Sequence, residues 1–145
     1  MTVGIEVLNF NIGGFGGGYE RVIWQDNKLH YQFSERPFYD DEEKLLYEKE
    51  EQIKVLNVTS PSIKDWEEFW KVIDALKVWS WKKSYYDENV DDGTQWELKI
   101  KRQGRRRRRM FGSNAYPEPR GTFDSFIKAL NKLSNSKLEF EEEEF

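Results

Sequence analysis

The chain has 145 residues, of which 37% are apolar and 16% aromatic, and its net charge is −4. This length is typical of one domain with a single core, and the many aromatic rings argue against a disordered chain. The absence of cysteine excludes disulfides and thiolate metal sites, and no apolar run reaches the roughly eighteen residues of a membrane span. Because the first residues lack the pattern of a signal peptide, we expect a cytoplasmic protein.

The charges are segregated along the chain. Residues 40–51 carry seven acids and two bases, and residues 139–145 carry five acids and no base. Residues 99–109 carry eight bases and no acid, including five consecutive arginines. Segregated charges of opposite sign either meet within one molecule or bind partners, and charge alone does not decide between these outcomes.

The first elements predicted are a strand and a glycine loop. Apolar residues alternate over residues 2–12, with a change of phase that predicts a bulge near Val7 and Leu8. Residues 13–18 contain five glycines, but no Gly-Lys-Ser or Gly-Lys-Thr follows, and the next element has the pattern of a strand. These features favour a hairpin loop over a loop that binds a ligand.

Residues 19–33 have the pattern of a β-hairpin. Asp26-Asn27 suits a two-residue turn, which sets two apolar pairs on the core face: Trp24 with Leu29 and Val22 with Tyr31. His30, the only histidine, falls on the opposite face. It has no second histidine for a metal cluster and no cysteine or serine motif for catalysis, so we interpret it as a solvated strand residue.

A loop, a strand and a helix follow. Residues 34–51 are predicted to be a solvated acidic loop, because their carboxylates lack the spacing and central glycine of a calcium loop. Residues 52–59 have the pattern of a strand. Ser60 followed by Pro61 predicts the start of a helix. Its apolar stripe, more typical of a core than of a ligand pocket, comprises Ile63, Trp66, Phe69, Trp70, Ile73 and Leu76.

Aromatic residues continue after this helix. Residues 78–86 are interpreted as a short strand or an extended arm, and residues 87–94 as a turn. Stacking platforms for single-stranded nucleic acid would be offered by Trp79, Trp81, Tyr85 and Tyr86. The candidate aromatic surface comprises Trp79, Trp81, Tyr85 and Tyr116.

The basic stretch is predicted to be a β-hairpin. Its first strand alternates around Leu98 and Ile100, and a reversal at Gln103-Gly104 would set Arg107 opposite Ile100 and Arg109 opposite Leu98. That register places arginines on the core face. A shift by one residue would turn Met110 inward instead.

This hairpin is the candidate site for an anionic partner. Guanidinium groups pair well with phosphate, and a two-stranded ribbon fits the major groove, but the net negative charge opposes binding to nucleic acid. Three hypotheses stay open: the acidic segments of the chain cover the arginines, an acidic protein or small anion binds them, or nucleic acid does. The candidate residues are Lys101, Arg102, Arg105, Arg106, Arg107, Arg108 and Arg109.

The last part of the chain contains a shaped loop and a second helix. Residues 112–117 have turn chemistry that predicts a well-defined loop. Thr122 is predicted to cap a helix whose apolar face comprises Phe123, Phe126, Ile127, Leu130 and Leu133. We predict one domain over residues 1–137 and an acidic tail over residues 138–145.

Several motifs occur together between residues 19 and 134. They are Tyr19-Glu20-Arg21-Val22 with Trp24, Trp66-x-x-Phe69-Trp70, Val78-Trp79-x-Trp81, Asp92-Gly93-Thr94-x-Trp96 and Gly112-x-Asn114-Ala115-Tyr116-Pro117. This combination resembles a family of small bacterial proteins without an assigned activity. The resemblance implies a single α+β domain and supplies no catalytic residues. The five arginines and the acidic tail fall outside the shared motifs.

The pattern of elements predicts an α+β fold, with an antiparallel sheet of about six strands and two helices packed on one face. We expect a non-catalytic binding module, such as an inhibitor or immunity-like protein, with a protein partner and without cofactor or metal. The alternative is binding of nucleic acid or an anionic ligand through the arginine hairpin. An enzyme using Asp91 or Asp92 beside Tyr85 or Tyr116 is disfavoured, because the sequence shows no nucleophile with a base and no cofactor loop.

Overall fold

The computed structural model describes residues 4–14, 17–38, 52–87 and 93–140. A 3₁₀ helix, Val78–Ser80, lies between the first helix and the fifth strand. The α+β class is confirmed, and over the described ranges the sheet has seven strands instead of about six. The elements are β1 (Ile5–Gly14), β2 (Gly18–Gln25), β3 (Lys28–Ser34), β4 (Ile53–Thr59), α1 (Ile63–Ala75), β5 (Ser84–Tyr86), β6 (Thr94–Arg102), β7 (Arg108–Ser113) and α2 (Thr122–Ser134).

The strands lie in the order β4-β3-β2-β1-β6-β7-β5. All neighbours are antiparallel except β5 and β7, which pair in parallel through Ser84 with Phe111 and Tyr86 with Ser113. The short segment with two tyrosines is therefore a strand, and it joins the sheet outside β7 instead of beside β6, its successor in the chain. The bulge in β1 falls between Ile5 and Val7, slightly before its predicted position.

The β2–β3 hairpin has the predicted register. Its apolar pairs are Val22 with Tyr31 and Trp24 with Leu29. Asp26 and Asn27 both have positive φ, at 55° and 60°, which matches the twist of a two-residue hairpin turn. His30 lies opposite Ile23 on the other face, and its Nε2 is 3.0 Å from the Gln25 carbonyl oxygen.

The core lies on one face of the sheet. Phe10 at the centre pairs with Val22 on one side and Leu98 on the other, and all three are buried. The Phe126 ring of α2 packs on Phe10 at 5.3 Å between ring centroids. The Trp66 ring of α1 packs on Trp24 of the same sheet face at 5.4 Å. Both helices thus cover this face, and in the described part of the chain no helix covers the other.

The start of α1 differs from the prediction. Its N-cap is Ser62, whose hydroxyl accepts a hydrogen bond from the Asp65 N–H at 3.0 Å, while an Asp65 carboxylate oxygen accepts one from the Ser62 N–H at 3.0 Å. Ser60 as N-cap would put Ile63 at the third helical position, where its side chain has no acceptor to complete this reciprocal pair. The capping box therefore moves the helix start by two residues.

The second helix has the predicted apolar face, and all five of its residues are buried. Its N-cap is Gly121 and not Thr122, which is the first helical residue. Beyond the helix, the Asn131 side chain bonds the Leu138 N–H and carbonyl, both at 2.9 Å. Leu138 is buried, and the Phe140 ring packs on Phe123 at 4.8 Å. Leu138, which was assigned to the tail, thus belongs to the core, and the partly buried Phe140 packs against it, because Asn131 fixes the returning chain.

The capping box gives the first prediction. Ser62→Ala should lower the free energy of unfolding by about 1 kcal/mol, because the Asp65 N–H loses its acceptor. Ser60→Ala, the matched control outside the helix, should change it by less than about 0.5 kcal/mol. Urea unfolding followed by circular dichroism measures both, and an equal loss in the two variants would contradict the assigned N-cap.

Candidate functional site

The register of β6 against β7 determines which arginines of the basic stretch point toward the core and which point outward. Leu98 pairs with Met110 and Ile100 pairs with Arg108. The prediction that Arg109 lies opposite Leu98 is therefore wrong, and the alternative, with Met110 inward, is confirmed. Met110 is 0% exposed, whereas an inward Arg109 would carry a charge into the core.

Arg108 has a structural role at this end of the sheet. Its Nη1 donates to the Trp79 carbonyl oxygen at 2.5 Å and its Nη2 donates to the Trp81 carbonyl oxygen at 2.7 Å. Hydrogen bonds from a charged donor are stronger than those between neutral groups. Arg108 therefore anchors the 3₁₀ helix, Val78–Ser80, to the first residue of β7.

A second set of contacts fixes the turn itself, residues 103–107. The Trp79 indole Nε1 donates to the Arg106 carbonyl oxygen at 2.9 Å. The Arg105 guanidinium lies over the Trp79 ring, 5.6 Å from its centroid. Gly104, with φ of 85°, supplies the left-handed conformation that the reversal requires. The arginine turn is thus held by Trp79 from the side of the 3₁₀ helix.

Along the two strands, acids neutralise the remaining bases. Each of these pairs is at least partly exposed, so its contribution to stability is small. The pairs matter more for the surface charge than for stability. Because each of them places an acid beside a base, the two strands do not form a continuous positively charged stripe. The pairs are Lys101 with Glu6 at 2.7 Å, Arg102 with Asp74 at 3.2 Å and Arg109 with Glu97 at 2.8 Å, and Lys99 shares Glu97 with Arg109 at 3.7 Å.

Three arginines remain: Arg105, Arg106 and Arg107. All three are exposed, and within the described ranges none of them makes an ion pair. The positive charge of the basic stretch is therefore concentrated at the turn.

The acidic tail begins far from this turn. Glu139 lines a cleft with Thr94, the first residue of β6, whereas the turn follows Arg102, the last residue. The nine residues of β6 span about 27 Å, so the described end of the tail lies at the other end of the strand. The hypothesis that the chain covers its own arginines depends on residues 40–51 and 141–145, which lie outside the described residues.

The four candidate aromatic residues do not form one surface. Trp81 is only 6% exposed, and its indole donates to the Leu76 carbonyl oxygen at 3.1 Å. Tyr116 packs on core rings at its own end of the domain, with Phe140 4.5 Å away. The Tyr85 hydroxyl accepts a hydrogen bond from the Lys82 N–H at 2.8 Å, and burial raises the pKa of Tyr85. Trp79 alone adjoins the arginine turn.

The sequence did not predict an open cleft of about 680 Å³ at the far end of the sheet. Its lining includes Gly13, Gly14 and the hydrogen-bonded pair Tyr31 and Glu20. A Cβ at Gly13 would overlap the Gly18 carbonyl oxygen, and one at Gly14 would overlap the Gly93 carbonyl oxygen. Close approach of the strands therefore accounts for both residues without a bound ligand.

The described residues give no support to the enzyme hypothesis. Asp91 and Asp92 lie outside the described residues. The described ranges contain no group of three or more histidine, aspartate or glutamate side chains placed to hold a metal ion.

Among the helices in the described ranges, none is long and apolar enough to cross a membrane.

Comparison with protein-family models, curated proteins and solved structures finds no match to this chain. The resemblance to small bacterial α+β proteins stays a prediction.

The anchoring role of Arg108 gives a second prediction. Arg108→Met should lower the free energy of unfolding by about 2 kcal/mol, because two carbonyls lose a charged donor. Arg107→Met removes the same charge from the exposed turn and should change it by less than about 0.5 kcal/mol. Urea unfolding measures both variants. Equal effects would show that Arg108 is not the anchor.

Tyr31 gives a third prediction. Burial, with the hydrogen bond and negative charge of Glu20, raises the pKa of Tyr31 above its ordinary value of 10.0. The folded protein then keeps a proton that the unfolded chain loses, so stability is complete below about pH 10 and falls as pH rises above it. Tyr31→Phe should make this alkaline loss shallower, measured as the urea midpoint from about pH 9 to 11.5. Tyr86→Phe, an exposed control, should keep the wild-type slope, and an unchanged slope in Tyr31→Phe would contradict the assignment.

Proposed function

We propose that this protein is a non-catalytic binding module that recognises an acidic surface of another protein through the arginine turn, residues 103–107. The observation that carries this proposal is the contrast within the basic stretch. Arg108 and the strand residues are engaged by backbone carbonyls and acids, whereas Arg105, Arg106 and Arg107 are exposed and make no ion pair within the described ranges.

The turn is organised before it meets a partner. Trp79 bonds its backbone at Arg106 and supports the Arg105 guanidinium, while Arg108 anchors the strand that follows. Binding to a flexible arginine loop would cost the ordering of its backbone, and a fixed turn avoids most of that cost.

The chemistry of the turn favours binding over catalysis. Guanidinium groups are donors only and stay protonated at any physiological pH, so they cannot serve as general bases. They pair with carboxylates in a planar, two-bond geometry that recognises acidic side chains.

The size of the charged area favours a protein over nucleic acid. Proteins that follow a nucleic-acid backbone typically contact about six to ten phosphates. In this chain Glu6, Asp74 and Glu97 pair with bases beside the turn, so within the described ranges the exposed arginines of the basic stretch that make no ion pair are the three of the turn. A patch of three arginines matches a cluster of carboxylates on a protein loop or helix end.

A binding measurement tests the proposal. Fluorescence anisotropy compares a labelled glutamate-rich peptide with a single-stranded oligonucleotide of equal charge, at about 20 and 150 mM salt, where screening differs strongly. The triple variant Arg105→Ser, Arg106→Ser, Arg107→Ser removes the turn charge. The triple variant Lys28→Ser, Lys64→Ser, Lys71→Ser removes the same charge from exposed positions elsewhere.

The wild type should bind the peptide, and loss of the three arginines should weaken binding about tenfold or more. The lysine triple variant should bind almost as the wild type does. Tighter binding to the oligonucleotide would replace the proposal with nucleic-acid recognition. Absence of peptide binding at low salt, or equal losses in both triple variants, would overturn it.

A further inference from the structure

The open cleft of about 680 Å³ lies at the end of the sheet where β1 ends and β6 begins. Its lining includes Ile12, Glu20 and Phe33, which pair side by side across β1, β2 and β3 on the face that the helices cover. Within the described ranges no residue of α1 or α2 lines the cleft, so the helices leave this end of the face open. Its volume lies within the range of about 300–1,000 Å³ that small-molecule sites occupy.

Glu20 places a carboxylate on this face. The alternation of β2 that buries Val22 turns Glu20 to the same side, where its side chain is partly buried. One of its oxygens accepts a hydrogen bond from the Tyr31 hydroxyl, but within the described ranges Glu20 makes no ion pair. Burying a charge without a partner costs free energy, so a bound cation would stabilise this carboxylate.

A second carboxylate, that of Glu139, faces the same cleft from the segment that follows α2. Lys137 also lines the cleft, yet neither residue makes an ion pair in the described part of the chain. Burial, the hydrogen bond and charge of Glu20, and the charge of Glu139 raise the pKa of Tyr31. Both carboxylates therefore lie near the same hydroxyl. Together they exceed the single positive charge of Lys137, which leaves the cleft negative.

The remaining lining is apolar or has no side chain. Phe33 is partly exposed and is not among the residues of the core cluster. Its ring lies against Gly18, where a Cβ would come within 2.7 Å of the ring carbons. Glycine at this position thus lets the ring lie flat against the strand. The cleft therefore combines negative groups with an accessible aromatic surface, the usual composition of a site for a small ligand.

We propose that this cleft binds a small organic cation, whose ammonium or guanidinium group lies between Glu20 and Glu139 and whose apolar part lies on Phe33. Such cations are hydrogen-bond donors only, and their bonds to carboxylates are stronger than those between neutral groups. The proposal does not depend on the arginine turn, which lies at the other end of β6.

A metal ion fits the cleft less well than an organic cation. Cations such as Ca²⁺ take about six to eight oxygen ligands, usually with several carboxylates among them. In the described ranges no three acidic or histidine side chains are grouped to hold a metal ion. The volume of the cleft also exceeds what a single ion needs, whereas it accommodates a ring beside a charged group.

An NMR titration of the isotope-labelled full chain tests the proposal with three probes of similar shape. Phenethylamine carries an ammonium group, phenethyl alcohol is neutral and hydrocinnamate carries a carboxylate. Each is added to about 10 mM, which detects affinities down to the millimolar range. Phenethylamine should shift the backbone amides of Gly18, Thr94 and Lys137 in a saturable way, and the other two probes should shift them much less.

Three variants test the roles of the carboxylates. Glu20→Gln should weaken phenethylamine binding about tenfold, because it removes a partly buried charge but keeps an oxygen that accepts from Tyr31. Glu139→Gln should weaken it about threefold, because this carboxylate is exposed. Glu67→Gln, the matched control, removes an exposed carboxylate of α1 that does not line the cleft, and it should bind as the wild type does. Circular dichroism checks that each variant is folded.

The titration separates the proposal from its competitors. Absence of shifts at the cleft amides with phenethylamine would overturn it. Equal or tighter binding of phenethyl alcohol or hydrocinnamate would show that the cleft does not select a cation. Unchanged affinity in both Glu20→Gln and Glu139→Gln, or an equal loss in Glu67→Gln, would overturn the assignment of the two carboxylates.

Discussion

The pairing of Leu98 with Met110 determines how the arginine stretch is used. Because Met110 is buried in the core, strand alternation turns Arg109 outward to Glu97 and places Arg108 on the inner side. At the end of the sheet that inner position faces the 3₁₀ helix, where Arg108 meets two backbone carbonyls. The burial of Met110 against Leu98 thus gives Arg108 a structural role, whereas the arginines of the turn, including Arg106, are exposed.

Local patterns predicted much of the fold. The turn at Asp26-Asn27 specified the β2–β3 register, and the helical stripes identified the buried faces of both helices except at Ile63, which begins the first helix and is exposed. Two predictions, the N-cap of the first helix and the register of the arginine hairpin, were wrong because more than one local arrangement fits the same sequence pattern. Ser60 and Ser62 are both acceptable N-caps, and only the reciprocal bonds with Asp65 distinguish them. A hairpin shifted by one residue has the same local pattern, so burial of Met110 in the assembled core decides the register.

The residues that make up the candidate site were predictable from the sequence, but the role of each residue was not. The basic stretch is evident in the sequence, whereas the partners of Arg108 lie 27 and 29 residues earlier and are backbone carbonyls, which no side-chain pattern reveals. The aromatic residues show the same limit, since Trp79 supports the turn while Trp81, two residues later, lies in the core. The joint exposure of Val55 and Val58 was not predicted either, because an apolar strand has the same pattern at an edge as at the centre of a sheet.

Arginine modification by phenylglyoxal, mapped by peptide mass spectrometry, tests most directly whether the register separates these roles. We predict that Arg105, Arg106 and Arg107 react quickly in the folded protein, whereas Arg108 reacts slowly and gains reactivity only on unfolding. Similar rates at all four positions would contradict the anchoring role of Arg108. Protection of the three turn arginines in the isolated protein, relieved by removing residues 141–145, would show that they are covered and not available to a partner.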